Sequence, residues 1–234
     1  MTAIYRREMR SYFITPIGYV FIAVFLAVSG AFFSYTTLFS LSADCTEYFS
    51  YMLMSLVVLL PLLTMKSFSE EKKARTEQLL MTAPVSITGM VFAKFLAAFT
   101  IFFGALFLSS LSFLILYRYA AVKTAMLIGN FVAVALCGMA FIAVGVFISS
   151  VTENQLAAAV GTVGVLLLFL LAGALNNIIP FYPLRFLLDG ISVFARFQNF
   201  AQGAFDIGAL VYYLSITVVF LALTVGVFDR RRYN

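Results

Sequence analysis

Long apolar runs, each close to the roughly 20 residues that a membrane-crossing helix needs, alternate with short polar stretches along the whole chain. The runs predict spans at residues 16–39, 48–65, 89–116, 124–149, 156–175 and 209–228. Ahead of the first, Tyr5, Met9, Tyr12 and Phe13 recur at helical spacing, with Arg6, Arg7 and Arg10 on the other side. Residues 1–15 are therefore predicted to form an amphipathic helix lying in the membrane interface, on anionic lipid. A secretory leader is the competing reading, because Ala27, Val28 and Ser29 resemble a weak cleavage site. The apolar run behind the basic residues is too long for an ordinary leader. The expectation is an all-α polytopic membrane protein, one domain over residues 1–234, with residues 66–88 and 176–208 as its long connections.

Composition narrows the function classes. The chain is 63% hydrophobic and 11% charged, with a mean hydropathy of +1.05, which leaves too few charges for a water-facing surface. Its 234 residues are used up by six spans and their connections. Histidine is absent, so hydrolase triads built on His and His-Glu-x-x-His zinc sites are excluded. Cys45 falls in a polar loop and Cys137 in the middle of an apolar run, a placement that supports neither a disulfide nor a metal cluster.

The net charge of +5 sits beside the apolar runs, which favours membrane orientation over nucleic-acid binding. With the N-terminus inside, the inner side collects Arg6, Arg7, Arg10, Lys66, Lys72, Lys73, Arg75, Lys94, Arg230, Arg231 and Arg232. The outer side holds Arg118, Lys123, Arg185 and Arg196. Both termini are expected in the cytoplasm, with the protein multi-pass in the cell membrane. Lys94 lies close enough to the inner end of the third span to snorkel outward. No Asp or Glu lies deep in a predicted span, which argues against a proton- or sodium-coupled carrier.

The most charged stretch is residues 66–88. Ser67 and Glu70 fit a capping box. Glu71 with Arg75, and Lys73 with Glu77, stand at i, i+4. A helix over residues 69–81 follows, stopped by Pro84 before the third span. Such a short, stiff rod can take force from a partner and pass it to two spans; the plain alternative is a solvated connecting helix.

Residues 63–73, reading Leu-Thr-Met-Lys-Ser-Phe-Ser-Glu-Glu-Lys-Lys, continue through Thr76-Glu77-Gln78-Leu79-Leu80 and Ala83-Pro84-Val85-Ser86 to Lys94-Phe95-Leu96-Ala97. This region resembles the signature of ABC-2 type transporter permeases, and more narrowly the small six-span permeases of the gliding-motility type. The resemblance implies a type V exporter-like transmembrane domain, with a cytoplasmic coupling helix docked on a separate ATP-binding cassette subunit. Glu70, Glu71, Lys72, Lys73, Arg75 and Glu77 would be the coupling residues, and the N-terminal helix would lie against the same subunit. It also implies a second permease copy or a related permease, export as the direction, and ATP with Mg on the partner ATPase. No cofactor is expected in this chain, which lacks the Gly-x-x-x-x-Gly-Lys-Ser/Thr phosphate loop.

Phe194, Phe197, Ala201 and Phe205 share one helical face in the outer connection, while Arg196, Asn199 and Gln202 turn elsewhere. This predicts an amphipathic helix dipping into the outer leaflet, as a plain interfacial anchor; the resemblance implies instead a short outer helix that caps the translocation path, and leaves room for an extracytoplasmic accessory protein. Small residues, Gly138, Gly145 and Ser149 in the fourth span and Ala157 and Gly161 in the fifth, are expected to pack helices closely or to line a path. Two functions remain open: an ATP-driven permease, and a non-transporting scaffold that passes ATPase motion to an outer protein. An intramembrane enzyme is disfavoured, with no His and no carboxylate pair in the spans.

Overall fold

The computed structural model describes residues 1–40, 44–74, 86–119, 124–175, 192–193, 196–197 and 206–233, and all regular structure among them is helical. Helix α1 (Thr2–Ile14) ends at Thr15, which is extended (φ −78°, ψ 145°), as a residue before proline prefers. Helix α2 (Ile17–Phe33) follows and runs on as π-helix over Ser34–Phe39. Next come α3 (Thr46–Thr64), the short α4 (Ser69–Lys73) and α5 (Ile87–Ser110). Helices α6 (Ser112–Tyr119), α7 (Thr124–Val151), α8 (Gln155–Leu175) and α9 (Ile207–Tyr233) complete the described chain. Six helical stretches, beginning at Ile17, Thr46, Ile87, Thr124, Gln155 and Ile207, are long and apolar enough to cross a membrane, so the protein is an all-helical multi-pass bundle.

The third stretch is jointed where a single rod was expected. The amides of Leu111 and Leu114 bond to carbonyls three residues back, which tightens the backbone between α5 and α6. The last stretch is longer than expected: residues read as a basic tail belong to α9, which stays helical through Tyr233.

Helix α7 is the hub, packed against α3, α5, α8 and α9. In lipid, helices gain little from hiding apolar area, so close fit and hydrogen bonds decide how they pack. Small residues supply the fit. A Cβ built on Gly138 would enter the Phe102 ring of α5, and one on Gly145 would collide with Thr64 of α3. At Gly161 the nearest atom is Ile148 Cγ2 of α7, 3.3 Å from such a Cβ, whereas Ala157 is exposed and its neighbour Ala158 is the buried residue. Helices α8 and α9 turn Leu168, Val218 and Val160 outward, a face suited to acyl chains. Several hydroxyls bond back to their own helices, as Thr162 does to the Ala158 carbonyl and Thr224 to that of Phe220, which satisfies those donors within the helix.

At one end of the bundle, Phe33, Tyr48, Phe49 and Phe113 form an aromatic cluster; the Phe49 and Phe113 rings stack with centroids 5.6 Å apart. The Tyr48 hydroxyl shares a 2.7 Å hydrogen bond with that of Ser29, tying α2 to α3. Cys45 is buried beside this cluster, and burial together with the neighbouring Asp44 pushes its thiol up to about 11.

Gly145→Ala is expected to cost about 1–3 kcal/mol through overpacking against Thr64. Gly164→Ala, where nothing lies within 4 Å of the new methyl, should leave stability unchanged or slightly raised. Thermal unfolding of the two variants in detergent measures the contrast.

Candidate functional site

The opposite end of the bundle carries the charge, and Lys94 is its centre. This residue stands two turns into α5 and is 2% exposed. Its ammonium lies 2.9 Å from Glu8 Oε1 on α1 and 2.9 Å from Glu71 Oε1 on α4, and it donates over 2.7 Å to the Ser67 carbonyl. Three acceptors meet the three protons that an ammonium offers. The Phe68 ring closes the remaining side, with its centroid 5.0 Å from Nζ. The expected snorkelling of Lys94 is corrected by this arrangement: the side chain reaches inward because a full set of acceptors is there.

Helix α1 is clamped to the bundle by the same cluster. Tyr5, Glu8, Met9 and Tyr12 form its inner face, packed on α5 and α2. The Tyr5 hydroxyl bonds to Thr100 Oγ1 at 3.0 Å, and that of Tyr12 donates to the Leu63 carbonyl at 3.2 Å. Burial raises the Tyr12 pKa above its ordinary value, which keeps the phenol a neutral donor. Phe13, expected on the apolar side with Tyr12, is 38% exposed and meets Tyr19 edge-on at 5.4 Å. Arg6 and Arg10 are exposed on the other face, whereas Arg7, also largely exposed, brings its Nη2 to 4.0 Å from Glu71 Oε1.

Helix α4 is held on its other side by the end of α7. The expected capping box is not what starts it: the helix begins after Phe68, with no side-chain cap of its own, and Glu70 pairs with Lys66 at 3.5 Å. Ser149 on α7 does the capping from across the bundle. Its Oγ accepts from the amides of Phe68 (3.0 Å) and Ser69 (3.2 Å) and donates to the Met65 carbonyl. The carbonyls left open at the end of α7 attract cations, as the negative end of a helix does. Lys72 donates to the Val151 carbonyl at 3.1 Å and lies 3.6 Å from Glu153; Arg231 of α9 donates to the Ser150 carbonyl at 3.3 Å. Phe228 of α9 packs on Phe68, with ring centroids 4.8 Å apart.

The expected coupling residues therefore divide. Glu71 and Lys72 turn inward, their side chains 15% and 16% exposed, while Glu70 and Lys73 face outward. Arg75 and Glu77 lie outside the described residues, as does the rest of the helix expected to reach residue 81. At the far end of the bundle, Phe197 is buried, the Arg196 guanidinium covers the Tyr212 ring at 4.3 Å, and the Tyr213 hydroxyl donates to the Val193 carbonyl. Phe194 and Phe205 lie outside the described residues, so the face expected of that segment is represented here by Phe197 alone.

The chain matches no family model and no curated protein.

Sequence reasoning missed Glu8 as a site residue, although a signal was present: it is the one acid of α1, and its spacing from Tyr5 and Tyr12 puts it on the apolar side of a basic helix. α4 is bound to α1 and α5 through Lys94, to α7 through Ser149 and Lys72, and the Phe68 ring before it packs on Phe228 of α9.

Lys94→Met should cost about 3–5 kcal/mol, because two carboxylates lose their buried counter-charge. Adding Glu8→Gln and Glu71→Gln should recover a large part of that loss. Thermal unfolding in detergent checks both; a stable single variant, or no recovery, would contradict the cluster's role.

Proposed function

We propose that this chain is the transmembrane permease subunit of an ATP-binding cassette transporter of the ABC-2 type, exporting a substrate across the cell membrane with ATP hydrolysed by a separate subunit. Both termini and the Lys94 end face the cytoplasm, consistent with the excess of Lys and Arg there. The observation that carries the reading is the double grip on α4. A helix of five residues has little stability of its own, yet this one is fastened to α1, α5 and α7 through buried or partly buried polar groups, and the Phe68 ring before it packs on α9.

The division of its charges supports two roles. Glu70 and Lys73, which face outward, are the contacts for the ATPase subunit. Glu71 and Lys72, which face inward, pass displacement of α4 to the bundle. Motion arriving at the outer face moves α5 and α1 by way of Lys94, and α7 by way of Ser149 and Lys72. The spans then tilt as connected bodies, and a path between this permease and a second permease copy changes its access.

Copurification in mild detergent tests the reading. A nucleotide-hydrolysing subunit should accompany the wild-type chain. Glu70→Lys combined with Lys73→Glu should lower its recovery about tenfold while leaving the thermal transition of the membrane subunit in place, as expected for exposed charges. A chain that purifies with no ATPase subunit, or residues 66–74 found on the outer face by labelling, would contradict it.

A further inference from the structure

Helix α1 packs on α5 and α2 and does not pack closely on α4. Between α1, α4 and the turn before α4 lies a cavity of about 210 Å³, with the buried Lys94 of α5 in its wall. Apart from Ala74, every side chain that lines it carries a hydroxyl or a charge. Ser67 marks its depth. This residue is 4% exposed; its amide bonds to the Thr64 carbonyl and its carbonyl accepts from Lys94, yet its hydroxyl has no hydrogen-bond partner among the described residues. The Tyr12 phenol stands near Ser67 but is committed to the Leu63 carbonyl. A buried hydroxyl left dry is costly. Two ion pairs in the lining are also long: Arg7 to Glu71 at 4.0 Å and Lys66 to Glu70 at 3.5 Å, against the roughly 2.8 Å of a direct charged hydrogen bond.

We propose that this cavity is a hydrated cleft, in which ordered water bonds to the Ser67 hydroxyl, bridges Arg7 to Glu71 and joins the Lys94 cluster to the aqueous phase. Water has about 30 Å³ per molecule in the liquid, so there is room for several. The lining selects a small neutral molecule that both donates and accepts. Three cations, Arg7, Lys66 and Lys94, balance three carboxylates, Glu8, Glu70 and Glu71, so neither a free cation nor a free anion gains by entering. Bridging water also accounts for ion pairs held apart at these distances. Helices α1 and α4 then meet across water and one ammonium, whereas α4 touches α7 directly through Ser149. A small shift of α4 against α1 leaves the carboxylates solvated, and the two contacts of α4 differ in stiffness. Hydration of the cleft does not depend on an ATPase partner, so either reading can fail without the other.

Two measurements on the full chain in detergent test the cleft. Ser67→Cys is treated with a small sulfonated methanethiosulfonate, a reagent confined to water, beside Ala97→Cys on α5, which is equally buried but lies outside the cavity lining. The wild type, whose Cys45 and Cys137 are buried, sets the background. Ser67→Cys should react about tenfold faster than Ala97→Cys or more, because thiol modification follows access. Ser67→Ala is followed by thermal unfolding. A hydroxyl that water satisfies is lost at a cost, so the transition should fall by about 2–4 °C. A transition that stays or rises would show the hydroxyl to be dry and would overturn the proposal. Reaction of Ser67→Cys no faster than that of Ala97→Cys would overturn it as well.

Discussion

A lysine ammonium inside an apolar bundle is tolerable only when every proton finds an acceptor and the charge finds a partner. Lys94 satisfies this with two carboxylates and a backbone carbonyl that come from α1, from α4 and from the turn before α4. The requirement is stringent because removal of any one acceptor leaves a buried group short. It follows that the N-terminal helix, the short charged helix and the third span are held in one arrangement by a single side chain. The remainder of the charged end is built around that arrangement. Ser149 closes the start of α4, and cations from α4 and α9 close the end of α7.

The rest of the bundle obeys the milder rules of a lipid solvent. Helices α3 and α7 come close because Gly145 leaves room for Thr64, and α5 meets α7 because Gly138 admits the Phe102 ring. Hydroxyls fold back on their own carbonyls, and large aliphatic side chains face out. Polar ties are placed at the two ends, where the aromatic cluster around Tyr48 and the charge cluster around Lys94 fix α2, α3 and α5 relative to one another. The bundle is pinned at its ends by these ties and packed by shape along its middle.

The helical, six-span character was legible because apolar runs of bilayer length are a local signal that needs no knowledge of neighbours. The charged end was legible only in part. The i, i+4 rule paired Glu71 with Arg75, which lies outside the described residues, and could not find Lys94, a partner on another helix. The capping box looked three residues along the chain, whereas the amides of Phe68 and Ser69 are met by Ser149, about eighty residues away. Local rules describe an isolated helix, and α4 is too short to be one. The small-residue pattern points to the close contacts at Gly138 and Gly145, whereas Ala157 is exposed in this chain, because spacing alone does not say which side of a helix meets another. Glu8 shows the opposite case: an acid at an apolar position was a readable conflict, resolved by a buried cation.

The claim at the centre is that Lys94 holds α1, α4 and α5 as one body. Hydrogen exchange measured by mass spectrometry on the folded protein in detergent, wild type against Lys94→Met, tests it most directly. Exchange should speed up together in peptides covering residues 2–14 and 66–74, with α8 and the middle of α9 unchanged. Protection at both segments equal to that of the wild type would contradict the account.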